Sequence, residues 1–222
     1  MNGEDARADE AHFQVSIQKI RKRSIPPSHH CGGTLISKNK VLTAAHCFYD
    51  QKEIPGYIKK FNVQVGLRKL SEPIYPAIHI LNASVHPGFR PKNNKRSNYA
   101  DIAVVTLEKD VHENSRISYG VLQTKELSIG EDVTAYGWGW IKEIDVHHGQ
   151  LSDTLQKTNL TVKGEPIKKT FITVQYQNST ACKGDSGGPL MTKDGKIAGV
   201  ASHGIGLKEP RLHCVPGHLN FY

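Results

Sequence analysis

Apolar residues occur along the chain in short runs separated by Gly, Pro, Asn and Asp, with β-branched residues prominent inside the runs. Short apolar or alternating runs bounded by turn formers mark strands, and a 3.6-residue repeat is hardly sustained anywhere. The pattern predicts strands over Phe13–Gln18, Gly33–Ser37, Phe61–Gly66, His79–Val85, Ile102–Leu107, Val133–Tyr136, Asp153–Val162, Thr170–Gln175, Pro189–Met191 and Lys196–Ser202. Many short strands at near-regular spacing predict an all-β sandwich or barrel, and closing a barrel removes exposed sheet edges. The polar stretch Glu108–Leu122, of mixed charge, reads as the connection between two halves of similar size. No fixed-period repeat or low-complexity tract interrupts the pattern.

Length and composition narrow this picture. At about 150 residues per domain, 222 residues make one to two structural units with room for a sizeable core. Hydrophobic residues at 37% and charged residues at 23% exclude a collagen, a coiled coil and wholesale disorder. No uncharged apolar run approaches the roughly 18 residues of a membrane helix, so no membrane span is expected. Met1 leads into Asn2-Gly3-Glu4-Asp5 rather than into a charged and then apolar leader.

The net charge of +8 is unevenly distributed. Lys19, Arg21, Lys22 and Arg23 form one basic knot and Arg90, Lys92, Lys95 and Arg96 another, both in loop-like sequence. Solvated loop charge is one reading; contact with acidic or heparin-like partners is the other. No helix-turn-helix, zinc-finger or RRM-like signature accompanies the charge, so no nucleic acid partner is expected.

The four cysteines, Cys31, Cys47, Cys182 and Cys214, form no CxxC pair, and their even number suggests two disulfides. Three N-x-S/T triplets, at Asn82, Asn159 and Asn178, fit an exported, glycosylated chain.

Three motifs carry candidate chemistry. Leu42-Thr43-Ala44-Ala45-His46-Cys47 sets a histidine among small residues after an apolar strand, and Asn98-Tyr99-Ala100-Asp101-Ile102 sets an acid at the mouth of another. Alone, each reads equally well as ordinary structure. Cys182-Lys183-Gly184-Asp185-Ser186-Gly187-Gly188-Pro189 says more, because glycines on both sides of a serine free the backbone to aim N–H groups beside the hydroxyl. Together they supply a nucleophile (Ser186), a base to take its proton (His46) and an acid to fix the base's tautomer (Asp101). The chain order His, Asp, Ser differs from the Ser, Asp, His order of α/β-hydrolases.

With these motifs the sequence resembles the trypsin/chymotrypsin-like serine proteases over nearly its whole length. Besides the three, it carries Phe13-Gln14-Val15-Ser16-Ile17, Cys31-Gly32-Gly33-Thr34-Leu35-Ile36, His86-Pro87-Gly88-Phe89, Gly137-Trp138-Gly139 and Ser202-His203-Gly204 in the family's order. The resemblance implies a single peptidase domain over residues 1–222, made of two packed antiparallel six-stranded β-barrels, approximately 1–110 and 111–222. Substrate would lie in the cleft between them. It implies disulfides Cys31–Cys47 and Cys182–Cys214, an oxyanion hole of the Gly184 and Ser186 N–H groups, and a primary pocket at Thr180, Gly204 and Gly217. Ser202 would pair with the substrate backbone, and Asp185 would pair with an amino group released from a zymogen. It further implies a secreted monomer acting on protein or peptide substrates and open to proteinaceous inhibitors.

Thr180 stands where trypsin-like relatives place an aspartate, so cleavage after large apolar residues is expected, with small residues as the alternative. No cofactor or metal is expected: Leu67–Ile78 offers only Glu72 as a carboxylate, and His147 and His148 read as surface residues.

The departures from the family are specific. Val133 and Thr192 occupy the positions of a frequent third disulfide, Thr161–Ile172 is short, and His203 replaces a tryptophan. The chain ends at Tyr222 without the family's C-terminal helix, and alignment puts Met1 at the second position of a mature chain, leaving the activating residue out. These departures, with the basic loops, keep a rival from another class: a catalytically silent, protease-fold protein that binds acidic partners.

Overall fold

The computed structural model describes residues 2–21, 26–49, 58–90, 100–145, 148–163, 172–175, 179–205 and 218–221 of the 222-residue chain. The first half contains β1 (Glu4–Asp5), β2 (Gln14–Lys19), β3 (Ser28–Ser37), β4 (Lys40–Thr43), β5 (Phe61–Gln64), β6 (Ile78–Val85) and β7 (Ala103–Leu107). The second contains β8 (Asp132–Gly137), β9 (Trp140–Glu143), β10 (Gly149–Leu151), β11 (Gln156–Val162), β12 (Ile172–Gln175), β13 (Pro189–Thr192), β14 (Ile197–Ile205) and β15 (His218–Phe221). Among the described residues there is no α-helix, only 3₁₀ turns at Ala45–Phe48 and Ile58–Lys60.

Strands β2-β3-β4-β7-β6-β5 close into a barrel in which every neighbour is antiparallel. In the second half the order is β8-β11-β12-β15-β14-β13, and β13 pairs back onto β8 to complete a second ring. This is the all-β, two-barrel architecture the sequence predicts. β1 joins the outside of the second ring, with Glu4 opposite Lys157 and Asp5 opposite Gln156.

Each barrel has its own core. Val15, Ile17, Leu35, Val41, Phe61 and Val63 fill the first; Val133, Leu160, Val174, Leu190 and Phe221 fill the second. Each such side chain, fully buried, is worth about 1.5–3 kcal/mol. Between them lies a smaller cluster of Ala6, Leu67, Tyr136, Trp138 and Leu155. The buried Trp138 also donates its indole N–H to the Arg68 carbonyl across the junction, at 3.2 Å.

Strand boundaries move where polar residues find partners that only the fold supplies. β3 begins at Ser28, five residues before the sequence predicts, because Ser28-His29-His30-Cys31-Gly32 looks like a loop but pairs with β2, His29 opposite Gln18. Gly32 is needed there: a Cβ would lie 3.0 Å from the Gly188 backbone, which crosses from the other barrel. β1, β4, the β9–β10 hairpin and β15 are too short for a run of alternation to mark them. The β13–β8 register places Thr192 directly opposite Val133, so the two positions of the absent third disulfide are cross-strand neighbours.

Candidate active site

His46 sits on the 3₁₀ turn that follows β4, and two fasteners hold that turn to β3. One is the Cys31–Cys47 disulfide, with a Cα–Cα distance of 6.3 Å. The other comes from the neighbouring residue: His30 Nε2–H donates to the Cys47 carbonyl at 3.1 Å. Burial drives the His30 pKa down to about 4, so the ring is neutral at neutral pH.

Asp101 has no exposed surface, whereas the His46 side chain keeps 29% of its own, enough to meet a substrate. Ala100, at φ 48°, turns the chain just before Asp101, in a conformation that costs a non-glycine residue about 1–2 kcal/mol. Asp101 Oδ1 accepts the His46 backbone N–H at 2.8 Å, and Oδ2 accepts His46 Nδ1–H at 2.6 Å. The Ser202 hydroxyl also donates to Oδ2. Burial opposes the charge on Asp101, but His46 by hydrogen bond and charge, with Ser202, outweighs it and holds the carboxyl below its ordinary range. Since Nδ1–H donates to the carboxylate, the neutral imidazole keeps its lone pair on Nε2.

Ser186 belongs to the second half but is tied to the first. Its carbonyl accepts the Gly32 N–H at 2.8 Å and lies 4.0 Å from Cys47 Sγ, beside the residue that follows His46. The next residue, Gly187, donates its N–H to Ala201, which precedes Ser202. Glycine is required on both sides: Gly184 has φ 101°, and Gly187 has φ 81° with a Cβ position only 2.2 Å from Thr43 Oγ1.

His29, which the sequence reading left without a role, and Asp185 hold this loop. His29 Nε2–H donates to the Gly184 carbonyl at 2.9 Å, while its Nδ1 faces the Ser16 hydroxyl at 2.8 Å. A carbonyl can only accept, so the tautomer follows, and burial lowers the His29 pKa to about 4. The Gly137-Trp138-Gly139 motif has its reason in Asp185. The carboxylate accepts N–H groups of Gly139 and Cys182, both at 2.8 Å, and a Cβ on either glycine would fall within 2.3 Å of one of its oxygens. Enclosure pushes the Asp185 pKa up, against those two hydrogen bonds.

The remaining expected residues fall as follows. Thr180 is buried and lines a cavity of about 30 Å³ together with Gly139 and Asp185. Gly204 pairs with Leu219 in the β14–β15 ladder. Cys182 is disulfide-bonded, while Cys214, Gly217, Asn178, His147, Lys22, Arg23, Lys92, Lys95 and Arg96 lie outside the described residues. Arg21 and Arg90 are exposed and Lys19 half-buried; Asn82 and Asn159 are exposed. Glu72 pairs with Lys69, and His148 with Asp145. Cys31, His46 and Cys47 are clustered, but the two sulfurs are bonded to each other and offer no thiolate to a metal.

The model of the trypsin family matches residues 1–218. The serine proteinase stubble of Drosophila melanogaster is 29% identical over 221 residues, which is 90% of this chain but 27% of that protein, so the chain spans about a quarter of its length. Chymotrypsin-like elastase family member 1 of Macaca fascicularis is 32% identical over 206 residues, covering 86% of this chain and 72% of that one. Among solved structures, human heparin binding protein superposes with a TM-score of 0.76 at 25% identity, over all of this chain and 90% of the other.

Proposed function

The chain belongs to the trypsin family of serine endopeptidases, and on that footing we propose that it cleaves peptide bonds with Ser186 as nucleophile, His46 as base and acid, and Asp101 as the orienting carboxylate. The observation that carries this reading is the double grip of buried Asp101 on the backbone and ring of His46, which leaves Nε2 free of its own proton. In the proposed cycle the Ser186 hydroxyl attacks the scissile carbonyl and passes its proton to His46 Nε2. His46 then gives that proton to the departing amine, and water hydrolyses the acyl-enzyme by the same relay. The N–H groups of Gly184 and Ser186 would hold the oxyanion, a role supported by the positive φ that only glycine adopts easily at 184. A fluorophosphonate probe is expected to label the protein stoichiometrically and to leave Ser186→Ala unlabelled. Labelling and peptidase activity that persist in Ser186→Ala would overturn the assignment.

For the bond chosen, Thr180, Gly204 and Gly217 offer no anion to a substrate cation, and an unpaired cation would bear an uncompensated desolvation cost. We therefore assign cleavage after Phe, Tyr or Leu, with small residues as the alternative; a peptide-library profile dominated by Lys or Arg would contradict both. A secreted, glycosylated protein is supported by the disulfides and by exposed Asn82 and Asn159. Asp185, a half-buried carboxylate with two N–H partners, is the proposed acceptor of an amino group freed from a zymogen.

A second reading rests on the likeness to a structure named for heparin binding and on the +8 charge, with Arg21 and Arg90 exposed. Retention of Ser186→Ala on heparin at physiological salt, with no probe labelling of the parent chain, would favour a silent binding protein.

A further inference from the structure

Lys183, the residue before Gly184, is exposed, and its ammonium rests 4.7 Å from the centroid of the Trp140 ring. Its direction is set by the backbone as well, since the Trp140 N–H donates to the Lys183 carbonyl at 2.9 Å. The indole is fixed in turn: it lies across the β9–β10 hairpin against Gly149, where a Cβ would come within 2.1 Å of the ring. Trp140 pairs with Leu151, and Leu151 packs on Gly184. Thus one cation is clamped beside the proposed oxyanion site.

The clamp also gives the charge a side. The leaving amine takes its proton from His46, so the leaving-group half of a substrate lies towards the His46 turn and its β3 brace. His29 on β3, Gly184, Leu151 and Trp140 form a continuous run from that brace. An ammonium held over Trp140 faces this half.

We propose that Lys183, held over Trp140, is a specificity-determining residue that selects an acidic side chain just C-terminal to the cleaved bond. The inference rests on the proposed endopeptidase reading. A Coulomb contact at an exposed site is screened by salt, with a Debye length of about 10 Å at 0.1 M and 3 Å at 1 M.

The test uses a peptide series with one cleavable bond, in which Glu or Gln is placed at each of the three positions on either side. The parent chain is expected to favour Glu over Gln roughly five- to tenfold in kcat/KM on the C-terminal side at low salt, with most of the preference gone at 1 M NaCl. Lys183→Gln removes the preference, Lys183→Glu inverts it, Trp140→Leu weakens it and Trp140→Phe restores part of it. An equal rate for Glu and Gln, or a preference confined to the N-terminal side, overturns the inference while probe labelling of Ser186 keeps the endopeptidase reading intact. Should labelling fail, the same peptides are titrated into Ser186→Ala and followed by tryptophan fluorescence. Tighter binding of the Glu peptide, lost in the additional Lys183→Gln variant, supports the subsite by itself, and equal binding overturns it.

Discussion

Asp101 is the residue on which most of the site's electrostatics converge, because one carboxylate receives the His46 backbone N–H, the His46 ring N–H and the Ser202 hydroxyl. An amide in its place would present a donor where a donor already stands and would let the imidazole take the other tautomer. Asp101→Asn is therefore expected to lower kcat by about 10⁴-fold with a much smaller change in KM, in line with loss of the orienting acid elsewhere. Steady-state kinetics on an apolar-P1 peptide checks this, and a fall of less than tenfold would remove Asp101 from the mechanism. Ser202→Ala deletes one of the hydrogen bonds to a buried charge, worth about 1.5–3 kcal/mol. It should destabilise the chain by a comparable amount in urea melts while leaving His46 gripped by its two other bonds.

At the scale of elements, the loop carrying Ser186 is a tight crossing between barrels, and two glycines separate its backbone cost from its packing cost. Gly187 and Gly195 have nearly the same positive φ, 81° and 82°. Around Gly195 a Cβ meets nothing within 4 Å, whereas at Gly187 it meets Thr43 Oγ1 at 2.2 Å and the Gly32 carbonyl at 2.4 Å. Gly195→Ala should therefore cost only the conformational strain, about 1 kcal/mol, or a few degrees in Tm. Gly187→Ala should cost several kcal/mol and abolish probe labelling, because the β3–β4 backbone cannot retreat without moving the His46 turn. Equal Tm losses for the two variants would show that the loop does not press on the first barrel. The element pattern was legible in the sequence where strands are long and apolar, as in β2, β6 and β7. It was not legible in Ser28–Gly32, whose polar residues become strand only because Ser16, Gly184 and Gly188 come to meet them.

For the whole molecule, two histidines of β3, buried His29 and half-buried His30, make stability depend on pH. His29 and His30 have folded pKa values near 4, below the ordinary 6.5, so between those values the unfolded chain binds more protons and stability falls as pH falls. Asp101, lowered in the folded state, adds a loss at still lower pH, while Asp185, raised, acts with the opposite sign. For His29 alone the linkage amounts to about 2 kcal/mol between pH 7 and pH 5. Urea melts should show that slope in the parent chain and a flatter one in His29→Gln, which keeps a polar side chain without titrating. The same slope in both would mean that His29 does not carry the linkage.

The sequence by itself determined the class of the elements and singled out the candidate reactive groups, since strand alternation and glycine-flanked serine are local patterns set by backbone sterics and side-chain polarity. It also placed His46, Asp101 and Ser186 in family order. Tertiary structure alone decided what holds them. Ser202 reaches Asp101 across 101 residues and His29 reaches the Gly184 carbonyl across 155. The glycines of Gly137-Trp138-Gly139 make sense only with the Asp185 carboxylate laid against them, and Lys183 acquires a direction only when Trp140 lies beneath it. No local pattern encodes such pairs, because each partner's own neighbourhood permits many orientations and only closure of the two barrels selects one.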